Sequence, residues 1–329
     1  MIKIGFFGTP VLASRVLEDI YNSGIFDIKF VVTATDKPVG RGLNIAFNPV
    51  KKFALDKNIA LFQPEKIRGN TDFIEKIKSF DVDYFVVVAY SKIIPAEILE
   101  IPKKMCINIH GSILPKYRGA SPIQSSLIGG ETKTGVTIMK MDVGMDTGDI
   151  IDMQEIPIDK FETSETLFNK FGQVSGKFLV DTLLKLDNGI IKPISQDDSK
   201  ATYCSKISKE NGLANFSKSA LTLFNSWKGL TPWPGLYTNF KDKKLIIEEC
   251  DFISPSVIPP PSVIPAEAGI SENNKFQIGE VVRIEDKIGI TCGDGGILIL
   301  KKVKLEGKKT QDIKDFVNGY KDFVGYVLK

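Results

Sequence analysis

Three side chains in the middle of this 329-residue chain have the types and spacing to act on a carbonyl group: Asn108, His110 and Asp146. His110 is the only histidine, so any step near neutral pH that needs an unperturbed imidazole falls to it. A side-chain amide can donate two hydrogens to an oxygen that becomes negative. An imidazole can donate as the cation or shuttle a proton. A neighbouring carboxylate can orient that imidazole, raise its pKa, or accept a proton itself. No Ser-His-acid order and no activated cysteine accompanies them, so direct attack by a nucleophile on a bound substrate is preferred to a covalent enzyme intermediate. Each residue also has a plain structural reading. A lone histidine after a strand is often structural, Asn108 could cap a turn, and Asp146 could serve only the turn Asp142-Val-Gly144-Met-Asp146-Thr-Gly148-Asp149. Cys106 falls on the same strand face and reads as packing.

The elements that must position these groups follow from local patterns. In Cys106-Ile107-Asn108-Ile109-His110 the period of two puts Asn108 and His110 on one face of a strand and the isoleucines on the other. Gly111, Ser112 and Pro115 end that strand, so the polar pair sits at its carboxyl end, where open α/β sheets place ligands. Asp146 arrives on a glycine-flanked loop between strands expected at 136–141 and 150–156. Upstream, a strand at 2–7 turns at Gly8-Thr9-Pro10 into a helix over 11–23, followed by a strand at 28–33. Helices are expected at 50–57 and 72–80, a short strand at 60–62, and a buried parallel strand over the apolar run 83–90. Helices at about 122–129 and 163–188 complete an α/β, Rossmann-like domain with a parallel sheet. Gly5-Phe-Phe-Gly8 lacks the G-x-G-x-x-G spacing, so a dinucleotide cofactor is not supported. The loop 34–49 is long for a compact domain, and such loops are usually functional.

The length allows two domains, and 43% hydrophobic with 25% charged residues is ordinary for a soluble globular protein. The 4 cysteines are scattered without C-x-x-C spacing, which reads as free thiols in a reducing compartment with no metal site. No stretch approaches the roughly 20 apolar residues of a membrane span, and a strand begins almost at Met1, so a cytoplasmic protein without membrane contact is expected. The net charge of +3 lies wholly in residues 206–329, with Lys241, Lys243, Lys244, Lys301, Lys302, Lys304, Lys308 and Lys309 among its lysines. That bias permits nucleic-acid contact, and equally fits solvated lysines on strand edges. After a linker at 190–205, a helix is expected over 213–224 and a few following residues. Short glycine-bounded strands then follow at 244–248, 280–285, 289–291, 296–300 and Val303, a small β-barrel pattern. Pro255-Ser-Val-Ile-Pro259 repeats as Pro261-Ser-Val-Ile-Pro265, an inserted extended surface loop at about 254–274. A role for this insert as a Pro-rich ligand is the lesser alternative. The division is then 1–189, a linker, and 206–329.

Asn108-x-His110-Gly-Ser112-x-Leu114-Pro115, Arg118-Gly-Ala and Asp142-x-Gly144-x-Asp146-x-Gly148 together closely resemble the folate-dependent formyltransferases. The likeness runs along nearly the whole chain, through Gly8-Thr9-Pro10, Pro38-x-Gly40-Arg41-Gly42, Phe62-Gln63-Pro64 and Val88-Ala89-Tyr90. It continues through Ala201-Thr-Tyr203-x-x-Lys206-x-Ser208-Lys209-Glu210 and Pro232-Trp233-Pro234. The Gly-Arg-Gly loop and the C-terminal domain resemble the branch of the family that acts on tRNA. The resemblance implies transfer of a formyl group from 10-formyltetrahydrofolate to the α-amine of methionine on initiator tRNA, for translation initiation. It implies that Asn108 and His110 stabilise the oxyanion while Asp146 holds His110 and helps remove the amine proton. It implies a folate site near Tyr90, Ile93, Asp142 and Gly144, walled by Ser112, Ile113, Leu114 and Pro115. It implies tRNA contacts at Arg41 and Lys37 in the long loop, at Lys206 and Lys209, and across an OB-like C-terminal domain. Many members have two lysines after the loop glycine, whereas this chain has Leu43-Asn44, and the repeated PSVIP unit is not a family feature. A formyltransferase acting on an amino sugar nucleotide or glycinamide ribonucleotide would share the three central residues but have no use for the Gly40-Arg41-Gly42 loop. The intact Asn-His-Asp set argues against a non-catalytic tRNA-binding protein. A monomer is expected.

Overall fold

The structure, a computed structural model, describes residues 1–39, 44–90, 92–257 and 276–329, with backbone only at 37–39, 44–45 and 257. The chain divides into two compact units. One holds Met1–Ile123, Thr132–Ile158 and Thr166–Ser205, and the other holds Gln124–Glu131, Asp159–Glu165 and Lys206–Lys329.

The first unit contains, in chain order, β1 (Ile2–Gly8), α1 (Val11–Asn22), β2 (Phe26–Val32), β3 (Lys37–Val39), β4 (Asn44–Ala46) and α2 (Pro49–Asp56). Next come β5 (Ala60–Phe62), α3 (Thr71–Lys78), β6 (Tyr84–Val88), α4 (Ala96–Leu99), β7 (Met105–His110) and β8 (Arg118–Gly119). They are followed by α5 (Pro122–Ile128), β9 (Lys133–Lys140), β10 (Ile150–Pro157), α6 (Ser164–Asp187) and β11 (Tyr203–Cys204); α5 and α6 each begin or end in the other unit. The main sheet has seven strands in the order β10-β9-β7-β6-β1-β2-β5. β1 buries Ala13, Val16, Leu17 and Ile20 of α1 beside it, an i, i+3, i+4, i+7 stripe. All five residues of β6 are buried, as a parallel strand covered on both faces requires. Asn48 caps α2 through its side chain, with Pro49 at the first helical position.

The sheet is mixed. β1, β2, β5, β6 and β7 run parallel, but β9 pairs antiparallel with both β7 and β10. β9 and β10 are joined by the glycine-containing loop at 141–149, shorter than the crossover a parallel pair requires. The long loop at 34–49 carries the hairpin β3–β4. Its central Gly40-Arg41-Gly42-Leu43, and with it Arg41, lies outside the described residues, as does the side chain of Lys37.

The second unit contains α7 (Ala220–Leu230), β12 (Leu236–Phe240), β13 (Lys243–Ile253), β14 (Val281–Ile284), β15 (Lys287–Thr291), β16 (Ile297–Leu305), β17 (Gln311–Asp312) and α8 (Ile313–Gly319). Its antiparallel sheet has the order β12-β13-β16-β15-β14, with β17 on β16. α7 starts at Ala220 rather than 213, because the Ser219 side chain caps it by accepting from Thr222 N at 3.1 Å. β12 was not anticipated, and β13 runs past 248 to Ile253. Irregular register around Glu249 breaks the alternation that a sequence reading follows. The strands expected at 296–300 and Val303 are one strand. Phe240, Phe316 and Phe323, each no more than 1% exposed, pack edge to face in this unit's core. Most of the repeated PSVIP stretch, residues 258–275, is outside the described residues. No described helix is long and apolar enough to cross a membrane.

Candidate active site

β7 carries Asn108 and His110 to its last residues, opposite Met139 and Thr137 of β9. His110 is 4% exposed. Its Nε2 lies 3.0 Å from the Tyr117 carbonyl and its Nδ1 3.5 Å from Asp146 Oδ1. Burial lowers the imidazole pKa from its ordinary value of 6.5, outweighing the opposite pull of Asp146 and of the Tyr117 carbonyl. Asp146 pulls this pKa upward, as expected of an adjacent anion, and desolvation is the larger effect. A neutral imidazole has one N–H, and the Tyr117 carbonyl can only accept. The proton accordingly belongs on Nε2, and the Nδ1 lone pair faces the carboxylate. Two acceptors face each other at 3.5 Å, a gap that a proton-bearing group satisfies.

Asp146 is fixed from several sides. Its backbone is left-handed, with φ of +55°, a conformation that aspartate tolerates better than most residues. Gly119 N donates to its Oδ2 at 2.8 Å, and Gln196 Nε2 donates to its carbonyl at 2.9 Å and to that of Gly148 at 2.6 Å. Within the loop, Asp142 Oδ1 accepts from Gly144 N at 3.0 Å and from Thr147 Oγ1 at 2.8 Å. A Cβ on Gly148 would stand 1.9 Å from the Lys140 carbonyl, so only glycine fits where the loop meets β9.

A cleft of about 240 Å³ opens over this loop, lined by Lys92, Ile93, Ile94, Asn108, Met139, Met141 and Asp142–Asp146. Ile94, Met139 and Met141 supply an apolar face. Ile93 (80% exposed), Val143 (81%) and Met145 (63%) leave large apolar side chains at its edge, the mark of a binding surface. Lys92 Nζ is turned to the carbonyls of Pro64 and Glu65, at 2.7 and 2.8 Å. The second unit holds a larger groove of about 390 Å³, but its lysines and acids are largely paired with one another, as Lys302 is with Glu249 at 2.9 Å. The smaller cleft is the one lined by Asn108 and Asp146.

The expected residues divide accordingly. Asn108, Asp146, Ile93, Asp142 and Gly144 line the cleft, and His110 lies behind it against Asp146. Ser112, Ile113, Leu114 and Pro115 do not line it. Ser112 Oγ donates to the Lys116 carbonyl, and Thr137 Oγ1 bonds Ser112 O at 2.6 Å and Leu114 N at 3.2 Å, folding this turn onto β9. Tyr90 is also off the cleft. It is 2% exposed, packed on Phe7, and its hydroxyl has no hydrogen-bond partner among the described residues, while burial pushes its pKa up to about 12. Burial likewise pushes the Cys106 thiol up, which fits packing. Lys206 and Lys209 are exposed residues of the second unit. Sequence reading missed Lys92, Met139, the Tyr117 carbonyl and Gln196; only Arg118-Gly119 left a signal, as part of a motif. No group of three or more possible metal ligands occurs among the described residues.

Residues 2–183 match the family model described as formyl transferase, and residues 206–321 that of the formyl transferase C-terminal domain. A methionyl-tRNA formyltransferase of Caldicellulosiruptor saccharolyticus is 40% identical over 327 residues, 99% of this chain and 100% of that one. One of Clostridium novyi is 40% identical over 329 residues, all of both chains. Among solved structures, an N-formyltransferase from Helicobacter canadensis, in complex with folinic acid and dTDP-3-aminofucose, is similar with a TM-score of 0.63. It has 20% identity and covers 91% of this chain and 99% of that one, a likeness of fold alone.

Proposed function

The chain belongs to the formyl transferase family, and on that footing we propose that it transfers a formyl group from 10-formyltetrahydrofolate to the α-amine of methionine carried by initiator tRNA, in translation initiation. The observation that carries the reading is end-to-end identity of 40% to two proteins named for that reaction. The cleft beside Asn108 and Asp146 supplies the chemistry. Its apolar floor and edge suit a flat ring system, so the donor is assigned there, against Ile93, Ile94, Met139 and the Asp142–Asp146 loop. The folinic acid in the Helicobacter canadensis enzyme is a folate of the same kind.

In this reading the neutral amine forms a bond to the formyl carbon, and the carbonyl oxygen takes up negative charge. Asn108 donates its amide hydrogens to that oxygen. The amine proton is taken up between His110 Nδ1 and Asp146, where two acceptors lie 3.5 Å apart. Passing that proton to the donor nitrogen, as its bond to the formyl carbon breaks, closes the balance. His110 thus acts as an acceptor behind the cleft, while the oxyanion is left to Asn108. Arg41, Lys37, Lys206, Lys209 and the lysine surplus of residues 206–329 are assigned to the tRNA, as point and forked charges for phosphates. The protein works as a monomer in this reading.

The test is direct: the protein is incubated with methionyl-tRNA and 10-formyltetrahydrofolate, and the product is analysed for formylmethionine. Its absence with active donor ends the assignment. Formylation of an amino sugar nucleotide instead would move the protein to the other branch of its family.

A further inference from the structure

Arg118 is 1% exposed, the largest of the fully buried side chains among the described residues, yet it is not one of the residues that line the cleft. Its guanidinium is spent on one neighbour above all. Nε lies 3.1 Å and Nη2 2.8 Å from Gln196 Oε1, while Asp198 Oδ1 at 2.7 Å and the Tyr203 hydroxyl at 3.4 Å hold the remaining edges. The other end of the same amide, Gln196 Nε2, donates to the carbonyls of Asp146 and Gly148, at 2.9 and 2.6 Å.

The chemistry of the partners fixes the orientation of this amide. Arginine only donates and a carbonyl only accepts, so turning the amide over would set donor against donor and acceptor against acceptor. Gln196 therefore uses both of its donors and its oxygen at once, which makes it a rigid link. What it grips is the backbone on either side of Thr147, including the one residue of the loop held at φ of +55°. The two bonds hold this stretch of backbone from the carbonyl side, at Asp146 and at Gly148. Among the described residues, the Asp146 side chain accepts the Gly119 N–H on Oδ2, and its Oδ1 lies 3.5 Å from His110 Nδ1.

We propose that Gln196, braced by Arg118, is a positioning residue that sets the Asp146 carboxylate at its distance from His110 Nδ1. The proposal rests on the formyl-transfer reading of this site for its effect on rate, but not for its effect on geometry. A displacement on the order of 1 Å at a reacting group can cost 10²-fold in rate, so the expected loss is at least about tenfold in kcat. KM values for both substrates should hold, because Gln196 is not among the residues that line the cleft.

Gln196→Met removes the donors at similar volume. Gln196→Glu keeps two acceptors for Arg118 and cannot donate, so it guards against a variant that merely leaves a buried arginine short of partners. Both should lower kcat. In Gln196→Met the proton NMR signal of the single histidine should titrate at a lower pH than in the wild type, since the anion is what moves while the strands that bury the ring do not. A titration midpoint that is unchanged or raised overturns the proposal, as does wild-type kcat in the glutamate variant. The titration can be read whether or not the wild type formylates tRNA, so failure of the function and failure of this link are told apart.

Discussion

His110 is the one imidazole in the chain, so its protonation can be followed as a single resonance without assignment. Burial lowers its pKa, and Asp146 is the anion that partly restores it. The midpoint should fall below 6.5, and Asp146→Asn should lower it further, because removing a nearby negative charge destabilises the imidazolium. The same shift couples to stability. The unfolded chain takes up this proton first as the pH falls, so the contribution is complete above the unfolded value of 6.5 and is lost towards the lower folded value. Denaturation midpoints measured between pH 7 and 5 should therefore fall more steeply in the wild type than in His110→Gln. Asn108 makes a different prediction, being the amide that lines the cleft. Asn108→Ala should cost about 10²–10³ in kcat, the usual loss of one oxyanion donor, with the KM for methionyl-tRNA little changed; a loss confined to KM would take Asn108 out of the chemistry.

The elements matter for where they end. β7 delivers Asn108 and His110, and the turn between β9 and β10 delivers Asp146, so three residues from two connections meet at one edge. The root of the long loop is held in a comparable way. Asn48 accepts from Lys51 N at 3.0 Å and from Thr33 Oγ1 at 3.1 Å, and donates to the Ala34 carbonyl at 3.3 Å. It caps α2 and ties β2 to the start of the loop at once. Asn48→Ala should cost about 1–2 kcal/mol, the upper part of the range for a lost cap, read as a shift in the urea midpoint at constant slope. These devices differ in how visible they are along the chain. Asn48-Pro49 is a local signal, whereas the start of α7 at Ser219 competes with an equally apolar run from Leu213.

At the scale of the whole molecule the charge is the informative quantity. The surplus of +3 sits in residues 206–329, none of which lines the cleft. If the lysines there and Arg41 in the long loop meet phosphates, the KM for tRNA should rise steeply with salt while that for the folate stays flat. Arg41→Ala should raise the KM for tRNA far more than that for the folate and reduce the salt slope by about one phosphate contact. Equal effects on both substrates would put Arg41 in the wrong site. Steady-state kinetics at several salt concentrations decide it.

The strand that pairs Asn108 with His110, the glycine-flanked approach of Asp146, the α/β character of the first unit and the antiparallel second unit are all written in short-range pattern. Period-two alternation, turn residues and apolar runs are local properties, and a side chain's face on its own strand needs no other part of the chain to define it. Which groups then meet is another matter. That β9 runs against β7, that the Ser112–Pro115 turn folds onto β9 rather than into the cleft, and that burial overrides Asp146 at His110 all depend on neighbours distant along the chain. So does Gln196, which reaches back 50 residues to Asp146. Hydrogen bonds and desolvation act through space, so only the tertiary structure decided that a linker glutamine would hold the carboxylate beside the only histidine.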